Sequence, residues 1–312
     1  RVSTFRFTLK NQMKKTKKTR KAAQKMAKII DGKKISASVR EDIKKRAEKF
    51  YERTGIRPGL AVIIVGEDPA SQVYVRNKRR ACEEAGFYSE VHELPTETTM
   101  DELVERLREI ISNKMIHGIL VQLPLPKHLD EKRILDMIPP YKDVDAFHPV
   151  NVGKIMIGSY DFLPCTPAGV MKMLEYEGIS VDGKECVVVG RSNIVGKPMA
   201  MLLLHANGTV TVCHSHTKNL ADVTRRADIL VSCVGKAGFI TADMVKEGAV
   251  VIDVGMNRDE NGKLVGDVDF AGVSEVASAI TPVPGGVGVM TITMLLENTL
   301  RAAEIQYRHS EN

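Results

Sequence analysis

The stretch Lys184–Pro198, which reads KECVVVGRSNIVGKP, decides the fold. Its apolar run Cys186–Val189 is rich in β-branched residues and predicts a short strand. Gly190 and Gly196 bound the following loop, and Met199–Leu204 continues as a typical helix former. A strand, a glycine-bounded loop and a helix together direct backbone N–H groups at a phosphate. The spacing is not G-x-G-x-x-G, so an ordinary strand-to-helix turn remains the alternative.

The composition is that of a globular protein with room for two domains. The chain has 312 residues, of which 43% are hydrophobic and 27% are charged. No apolar run reaches the length of about 18 residues that a membrane-spanning helix needs. We therefore expect no membrane partner.

The net charge of +6 comes from the N-terminal segment. Residues 1–28 hold eleven Lys or Arg and no Asp or Glu, which leaves 34 basic and 39 acidic residues elsewhere. The rest of the chain is therefore slightly acidic, and we expect no nucleic-acid partner. We interpret residues 1–26 as a disordered or loosely helical tail, added upstream of a natural start at Met26. An organellar transit peptide is the alternative.

The five cysteines indicate the compartment. They are Cys82, Cys165, Cys186, Cys213 and Cys233, an odd number without a C-x-x-C pair. The last three of them lie in apolar strand-like runs. This pattern predicts buried thiols in a reducing compartment, which favours a cytoplasmic protein without a metal site.

Strands and helices alternate along the chain in two series, which predicts an α/β fold with parallel sheets. The first series has predicted strands at Pro58–Val65, Ser89–Leu94 and His117–Gln122. The second series follows a connector at residues 142–149 and a helix capped by Thr166. Its predicted strands are Cys186–Val189, Thr209–Cys213, Ile229–Cys233, Val250–Val254 and Ala279–Ile280.

We therefore expect two domains with a cleft between them. Residues 27–148 would form the first, and residues 149–289 would form a Rossmann-type dinucleotide-binding domain. A closing helix, near residues 290–312, falls outside the second series, so we expect it to complete the first domain.

The end of the second strand in the second series favours NADP over NAD. NAD-binding folds carry an Asp or Glu there, which binds the ribose hydroxyls. Here the chain continues from Cys213 as CHSHTK without an acid. Its hydroxyls and imidazoles, with Lys218, suit an extra phosphate, and the guanidinium of Arg191 can reach the same place.

Candidate catalytic groups lie in the first series. Tyr74 and Lys78 are one helical turn apart, and Gln122 ends a strand whose carboxyl end should line the cleft. A partly desolvated lysine has a lowered pKa and can transfer protons. Taken alone, an exposed helical Tyr/Lys pair is the simpler interpretation, and Asp143 and Asp145 suit ordinary turn carboxylates.

Seven motifs follow one another along the chain: Tyr74-x-x-x-Lys78, Val121-Gln-Leu-Pro-Leu-Pro126, Lys142-Asp-Val-Asp145, Pro164-Cys-Thr-Pro167, Gly190-Arg-Ser-x-Ile-Val-Gly-x-Pro198, Asp253-Val-Gly255 and Thr281-Pro-Val-Pro-Gly-Gly-Val-Gly288. Together they resemble the bifunctional methylenetetrahydrofolate dehydrogenase/methenyltetrahydrofolate cyclohydrolase family, and the resemblance runs from about Ala27 to the C-terminus. Val289 departs from the family pattern, which usually has proline there.

The resemblance implies a role for each matched residue. Lys78 would transfer protons in the cyclohydrolase step, Tyr74 would stack on the folate, and Gln122 would tune the lysine. Asp145 would bind the amino-pyrimidine edge of the pterin. Other substrate-binding residues would be Val121, Leu123, Pro284, Gly285 and Gly288.

The resemblance also implies NADP as cofactor, tetrahydrofolates as substrates and a homodimer. Arg191, Ser192 and Ser215 would surround the 2′-phosphate of NADP. The full set of implied cofactor-binding residues is Gly190, Arg191, Ser192, Ile194, Val195, Ser215, Thr166, Gly235, Ile240 and Gly255.

The implied function is oxidation of 5,10-methylenetetrahydrofolate with NADP, followed by hydrolysis of the methenyl product to 10-formyltetrahydrofolate. A dehydrogenase without effective cyclohydrolase activity is the alternative, and a non-enzymatic nucleotide-binding protein on this fold is a more distant one. The presence of Lys78, Gln122 and Tyr74 together favours the bifunctional enzyme.

Overall fold

A computed structural model describes residues 26–310. The predicted disorder of the N-terminal tail before Met26 lies outside these residues. The elements of the first half are β1 (Lys28–Ile29), α1 (Gly32–Thr54), β2 (Gly59–Val65), α2 (Pro69–Glu84), β3 (Tyr88–Leu94), α3 (Met100–Ser112), β4 (Gly118–Val121), α4 (Glu131–Met137), α5 (Pro149–Met156) and α6 (Cys165–Tyr176).

The second half continues the alternation of strands and helices. Its elements are β5 (Glu185–Val189), α7 (Gly196–His205), β6 (Thr209–Cys213), α8 (Leu220–Thr224), β7 (Ile229–Ser232), a 3₁₀ turn (Ala242–Met244), β8 (Val250–Asp253), β9 (Asn257–Arg258), β10 (Leu264–Val265), α9 (Phe270–Ser274), β11 (Ala279–Ile280) and α10 (Val287–Ser310).

The first sheet has three parallel strands in the order β3-β2-β4. The central strand β2 is buried along its whole length, as its unbroken apolar sequence predicts for a strand covered on both faces. Gln122 directly follows β4 and therefore lies at the carboxyl edge of this sheet, where ligands bind in such folds.

The second sheet has six parallel strands in the order β6-β5-β7-β8-β11-β1. The strand order reverses at β5, so the loop that begins at Gly190 lies at the switch point of the sheet. The N-terminal strand β1 pairs with β11, with Lys28 opposite Ala279. The prediction assigned residues from 27 onward to the first domain. In the structure β1 instead extends the second sheet, and the chain crosses to the first sheet after it.

All eight strands predicted from sequence are present, each within one residue of its predicted ends. The prediction missed β1 and the short antiparallel hairpin β9–β10, whose strands have two residues each. Such short strands are stabilised by their neighbours in space, and their own sequences carry no alternating pattern.

Two local predictions between residues 147 and 176 were wrong. The segment after residue 149 forms α5, whose first turn is capped by the imidazole of His148, which accepts a hydrogen bond from Val150 N. The N-cap of helix α6 lies two residues earlier than predicted, at Pro164, and it makes no side-chain cap. Thr166 lies inside the first turn, and its hydroxyl hydrogen-bonds that of Thr291 instead.

The closing helix α10 packs against α1, α2 and the strands β2 and β4, and also against α6. Leu295, Leu296 and Leu300 are buried there, and burial of each side chain stabilises the fold by about 1.5–3 kcal/mol. The helix starts at Val287, so Val289 lies in its first turn, where both valine and proline are tolerated.

Within residues 26–310, none of the helices combines the length and the apolar composition needed to cross a membrane. Over the same described residues, no group of three or more His, Cys, Asp or Glu side chains is placed to hold a metal ion.

Candidate active site

A hydrogen bond connects Lys78 on α2 with Gln122 after β4. Lys78 Nζ donates to Gln122 Oε1 at 2.8 Å, and Gln122 Nε2 donates to the carbonyl of Leu123 at 2.9 Å. The second bond fixes which end of the amide faces the lysine. Lys78 is only 9% exposed. The structure therefore brings together Lys78 and Gln122 as the sequence predicted, and Val121 lies buried at the end of β4 beside them.

Electrostatics makes Lys78 suited to proton transfer. Burial lowers the pKa of Lys78, and the negative charge of nearby Asp145 opposes this shift. Burial raises the pKa of Asp145 to about 6, and Lys78 opposes that shift in turn. Burial thus moves both groups toward their neutral forms, which brings their titration nearer to neutral pH, where proton transfer is most effective.

The two acids of the connector have different surroundings. Asp143 accepts hydrogen bonds from His148 N and Asn151 Nδ2, both at 2.8 Å, and so stabilises the turn. Asp145 instead faces the lysine and accepts a weak hydrogen bond from the thiol of Cys165 at 3.5 Å. Asp145 is therefore the connector acid that is available to a ligand.

A cavity of about 610 Å³ lies between α1, α2, the loop after β8 and the glycine-rich loop before α10. Five predicted site residues line it: Tyr74, Gly255, Pro284, Gly285 and Gly288. Lys78, Gln122 and Asp145 do not line this cavity, although Asn77, the neighbour of Lys78 on α2, does. The predicted substrate residues thus fall into two groups, the cluster of Lys78, Gln122 and Asp145 and the lining of the cavity, where Tyr74 lies one helical turn from Lys78.

Met256 contacts Tyr74 across the cleft. The Tyr74 hydroxyl donates to Met256 Sδ at 3.1 Å, and burial raises the pKa of this tyrosine. A Cβ at Gly288 would lie 3.2 Å from the same sulfur. The side chain of Met256 is 46% exposed even so. Sequence reasoning did not single out this residue, since a methionine after a strand carries no chemical signal by itself.

The loop after β5 requires both of its glycines. Gly190 has a φ of 132°, and a Cβ on it would lie 2.5 Å from the carbonyl oxygen of Cys233. A Cβ on Gly196 would lie 2.4 Å from the carbonyl oxygen of Gly190. The loop therefore folds closely on itself at the N-terminus of α7, which is the arrangement that receives a phosphate.

Polar side chains of this loop and of the next strand end share one edge of the sheet. Val189 pairs with Cys213, and Gly190 N donates to the carbonyl of Cys213 at 2.9 Å. Arg191 and Ser215 follow these paired positions and are exposed, and no carboxylate occurs in either turn. Exposed guanidinium and hydroxyl groups fit the additional phosphate of NADP and offer no acceptor for ribose hydroxyls.

The other predicted cofactor residues have varied positions. Ser192 Oγ accepts hydrogen bonds from Val195 N and Gly196 N, and the side chain of Ile194 is exposed beside them. Gly235 is exposed after β7. Ile240 is fully buried, with its N–H and its carbonyl both hydrogen-bonded, so it lies beneath this edge and supports it.

Two family models match the chain in tandem. The model described as tetrahydrofolate dehydrogenase/cyclohydrolase, catalytic domain, matches residues 30–145. The model described as tetrahydrofolate dehydrogenase/cyclohydrolase, NAD(P)-binding domain, matches residues 164–307. The chain belongs to the tetrahydrofolate dehydrogenase/cyclohydrolase family. The predicted family is therefore confirmed.

Similar members of the tetrahydrofolate dehydrogenase/cyclohydrolase family match the chain almost end to end. The bifunctional protein FolD of Acetivibrio thermocellus is 60% identical over 280 residues, which cover 90% of this chain and 98% of that protein. The bifunctional protein FolD of Moorella thermoacetica is 60% identical over 277 residues, covering 89% of this chain and 99% of that protein.

Solved structures of the family confirm the predicted α/β fold. The FolD methylenetetrahydrofolate dehydrogenase/cyclohydrolase of Campylobacter jejuni has a TM-score of 0.87 at 50% identity, covering 90% of this chain and 99% of that one. The enzyme of Trypanosoma brucei, complexed with NADP cofactor and inhibitor, has a TM-score of 0.87 at 40% identity, covering 91% and 99%.

Two buried acids lie under the dinucleotide side of the cleft, of which sequence reasoning named Asp253 as part of a motif without giving it a role and missed Asp267. Asp253 is 3% exposed and Asp267 is fully buried. Burial raises the pKa of Asp253 to about 6, and three backbone hydrogen bonds oppose this shift because they favour the ionised form. A signal for Asp267 exists in the sequence, because this acid lies in the mostly apolar segment LVGDVDF at residues 264–270.

Proposed function

We propose that the chain catalyses two consecutive reactions on a one-carbon unit carried by tetrahydrofolate. It oxidises 5,10-methylenetetrahydrofolate to the methenyl form with NADP and hydrolyses the methenyl form to 10-formyltetrahydrofolate. The observation that carries this proposal is the buried Lys78–Gln122 pair, which adjoins a cleft whose opposite wall is formed by loops of a dinucleotide-binding sheet. A dehydrogenase without the hydrolase step would not need this pair.

The edge of the second sheet supports NADP as the cofactor. Gly190 and Gly196 leave room for a phosphate, and Ser192, Ile194 and Val195 form the loop between them. Arg191 and Ser215 would hold the 2′-phosphate, and Gly235, Gly255 and Thr166 would border the rest of the cofactor. When bound, NADP accepts a hydride from the methylene carbon of the folate.

The residues of the first domain and the glycine-rich loop would orient the folate. Asp145 would accept hydrogen bonds from the amino-pyrimidine edge of the pterin, which offers N–H donors to a carboxylate. Tyr74 would stack on the ring system from α2. Orientation of the methylene carbon is the main contribution of the protein to hydride transfer, since the methenyl cation is stabilised by its two nitrogens. The remaining wall would be formed by Val121, Leu123, Pro284, Gly285 and Gly288.

Lys78 would manage the protons of the hydrolysis. Water adds to the methenyl carbon, and the neutral amine of Lys78 accepts the proton that this water loses. The ammonium group then returns a proton to the ring nitrogen as its bond to the former methenyl carbon breaks, and the hydroxyl on that carbon releases its proton to water as the formyl C=O bond forms. Gln122 accepts a hydrogen bond from Lys78 Nζ and so keeps the lysine aimed at the carbon in both protonation states.

We also propose the domain division, assembly and compartment that the sequence indicated. Residues 27–148, completed by residues 290–312, would form the folate domain, and residues 149–289 would form the NADP domain. Free thiols at all five cysteines, four of them buried, support a reducing compartment such as the cytoplasm. A homodimer follows from family resemblance, and sedimentation of the purified chain tests it.

One assay tests the function directly. Purified protein is mixed with 5,10-methylenetetrahydrofolate and either NADP or NAD, and the methenyl and formyl products are measured separately. We expect NADP reduction, followed by enzyme-dependent formation of 10-formyltetrahydrofolate. Accumulation of the methenyl product at its uncatalysed rate of hydrolysis would leave only the dehydrogenase.

A further inference from the structure

A pair of buried carboxylates joins two neighbouring loops at the carboxyl edge of the second sheet. We define the loop after β7 as residues 232–236, which include the last residue of that strand, and the loop after β8 as residues 253–257, which run from the last residue of β8 to the first residue of β9. These strands are adjacent in the second sheet. Both loops leave the sheet at its carboxyl edge, next to the switch point, and between them lie the acceptor groups of Asp253 and Asp267.

Asp267 accepts five hydrogen bonds, and it connects both loops. Its Oδ2 accepts from Ser232 Oγ, Val234 N and Gly235 N at 3.2, 2.7 and 3.3 Å. Its Oδ1 accepts from Lys236 N and Asn257 Nδ2 at 3.0 and 2.9 Å. Four of these donors come from the loop after β7, and the fifth comes from the loop after β8.

Asp253 fixes Asp267 itself. Its Oδ1 accepts from Gly255 N and from Asp267 N, both at 2.9 Å, and its Oδ2 accepts from Val268 N at 2.9 Å. Gly255 packs tightly against Asp267, because a Cβ on Gly255 would lie 2.2 Å from Asp267 Oδ1. The position of the Asp267 carboxylate therefore determines the path of both loops.

The two loops carry residues that the proposed function places at the cofactor or in the cleft. Gly235 donates directly to Asp267, and Gly255 donates to Asp253. Met256 lies between Gly255 and Asn257, both of which are held by the pair, and it contacts Tyr74. No charged side chain hydrogen-bonds Asp267 in the described part of the chain, so the carboxylate acts on neutral loop groups.

We propose that Asp267 is a positioning residue for the dehydrogenase reaction, which holds the loops after β7 and β8 in the shape that receives the nicotinamide half of NADP. The inference rests on the cofactor edge assigned under the proposed function. Asp267 does not touch substrate or cofactor, because it is fully buried beneath both loops. Its effect should therefore fall on cofactor binding and hydride transfer and leave the water chemistry at Lys78 unchanged.

The test is the variant Asp267→Asn, which keeps the shape and changes one acceptor oxygen to an NH₂ donor. Either orientation of the amide places NH₂ against at least one backbone N–H group. We expect the dissociation constant of NADP, measured by calorimetry, to rise by about tenfold or more. We expect the KM for NADP to rise in parallel, whereas hydrolysis of supplied methenyltetrahydrofolate without NADP stays within about twofold of the unmodified rate.

Asp269→Asn is the matched control. Asp269 lies two residues away and is exposed, and its side chain only caps α9 by accepting from Gly272 N. Asparagine caps helices as well as aspartate does, so NADP affinity and both activities should stay unchanged. Ser232→Ala and Asn257→Ala each remove one side-chain donor to Asp267 and should raise the dissociation constant of NADP by a smaller factor, of about two- to fivefold.

Two results would overturn the proposal. One is an unchanged NADP affinity in Asp267→Asn. The other is an equal loss of both activities together with a lowered melting temperature, which is the effect of a general structural role. If Asp267→Asn does not fold, Ser232→Ala and Asn257→Ala become the test, and unchanged NADP affinity in both variants would reject the proposal. Failure of the proposed function is distinguishable, since the unmodified chain would then bind NADP without reducing it in the presence of methylenetetrahydrofolate.

Discussion

The two sides of the cleft are built in different ways. On the folate side, one side chain bonds another directly: Lys78 donates to Gln122, and Asp145 lies near the lysine. On the dinucleotide side, buried acids hold the backbone of the loops after β7 and β8 from underneath. Asp267 accepts from three backbone N–H groups of a single loop.

This difference follows from the chemistry that each side performs. Hydrolysis needs a group that changes its protonation state, so its side chains must have shifted pKa values. Hydride transfer needs alignment and no acid or base, so a rigid backbone surface is sufficient. Substitutions on the folate side should therefore remove one reaction, whereas substitutions on the dinucleotide side should change cofactor affinity.

The largest expected effect is that of Lys78→Met. Methionine has a similar length and no charge, so the buried site stays filled while the proton-transfer group is lost. We expect methenyl hydrolysis to fall by about 10²- to 10⁴-fold, with hydride transfer partly retained. The two products are measured separately from methylenetetrahydrofolate and NADP.

Lys132→Met is the control for this substitution, because Lys132 is exposed on α4, where it forms an ion pair with Asp136. It should leave both activities unchanged. Full hydrolase activity in Lys78→Met would show that the proton is transferred by another group, and the contrast between the two sides of the cleft would then lose its basis.

A smaller effect is expected for Arg191→Ala on the dinucleotide side. Loss of a charge-assisted hydrogen bond to the 2′-phosphate costs about 1.5–3 kcal/mol, which is roughly a ten- to hundredfold weaker affinity for NADP. The affinity for NAD, which lacks this phosphate, should change little. Calorimetric titration with each dinucleotide measures both values.

Arg225→Ala removes an exposed arginine of the same domain that bonds Asp222 and the carbonyl of Asp243, and it should affect neither affinity. Equal weakening of NADP and NAD in Arg191→Ala would mean that Arg191 shapes the loop and does not recognise the phosphate.

The smallest effect is expected for Asp145→Asn, with about a tenfold rise in the KM for the folate. The pKa of Asp145 is about 6, so its carboxylate is present at neutral pH and is lost as the pH falls through 6. The KM of the unmodified enzyme should therefore rise below pH 6, whereas that of the variant should not depend on pH in this range. A pH series of initial rates measures both.

The same carboxyl affects stability with the opposite sign from a salt-bridged acid. Its pKa in the folded state lies above its ordinary value of 3.8, so its ionisation between about pH 4 and 6 lowers the free energy of unfolding. Asp145→Asn should remove this pH-dependent loss of stability, and the exposed Asp136→Asn should leave it unchanged.

The pH series of KM values can contradict the assignment to Asp145. If the KM for the folate rose equally below pH 6 in Asp145→Asn, the titrating group would be another one.

Much of the fold could be predicted because the strands are long, apolar and regularly spaced. The runs at Gly59–Val65 and Glu185–Val189 are buried on both faces, and their sequences show this directly. Strand β1 could not be predicted, since two residues at the N-terminal edge have no pattern, and their partner β11 lies about 250 residues away in the chain.

The candidate catalytic residues could be singled out from sequence because their types are uncommon at such spacings and recur as family motifs. Lys78, Gln122 and Asp145 belong to this class, although their roles stay predictions until they are tested. Met256 and Asp267 were not found, because a methionine and a single acid are ordinary residues whose importance depends on what surrounds them.

The sequence by itself determined the α/β class and the family, since these depend on residue types and their order along the chain, and it carried the residues that favour NADP. Only the tertiary structure decided that the loop beginning at Gly190 lies at the switch point of a six-stranded sheet. It also decided that Asp267 hydrogen-bonds two neighbouring loops at the carboxyl edge of that sheet. The physical reason is that burial and hydrogen bonding join residues that are distant in sequence. A group's pKa and its partners are properties of that assembled environment.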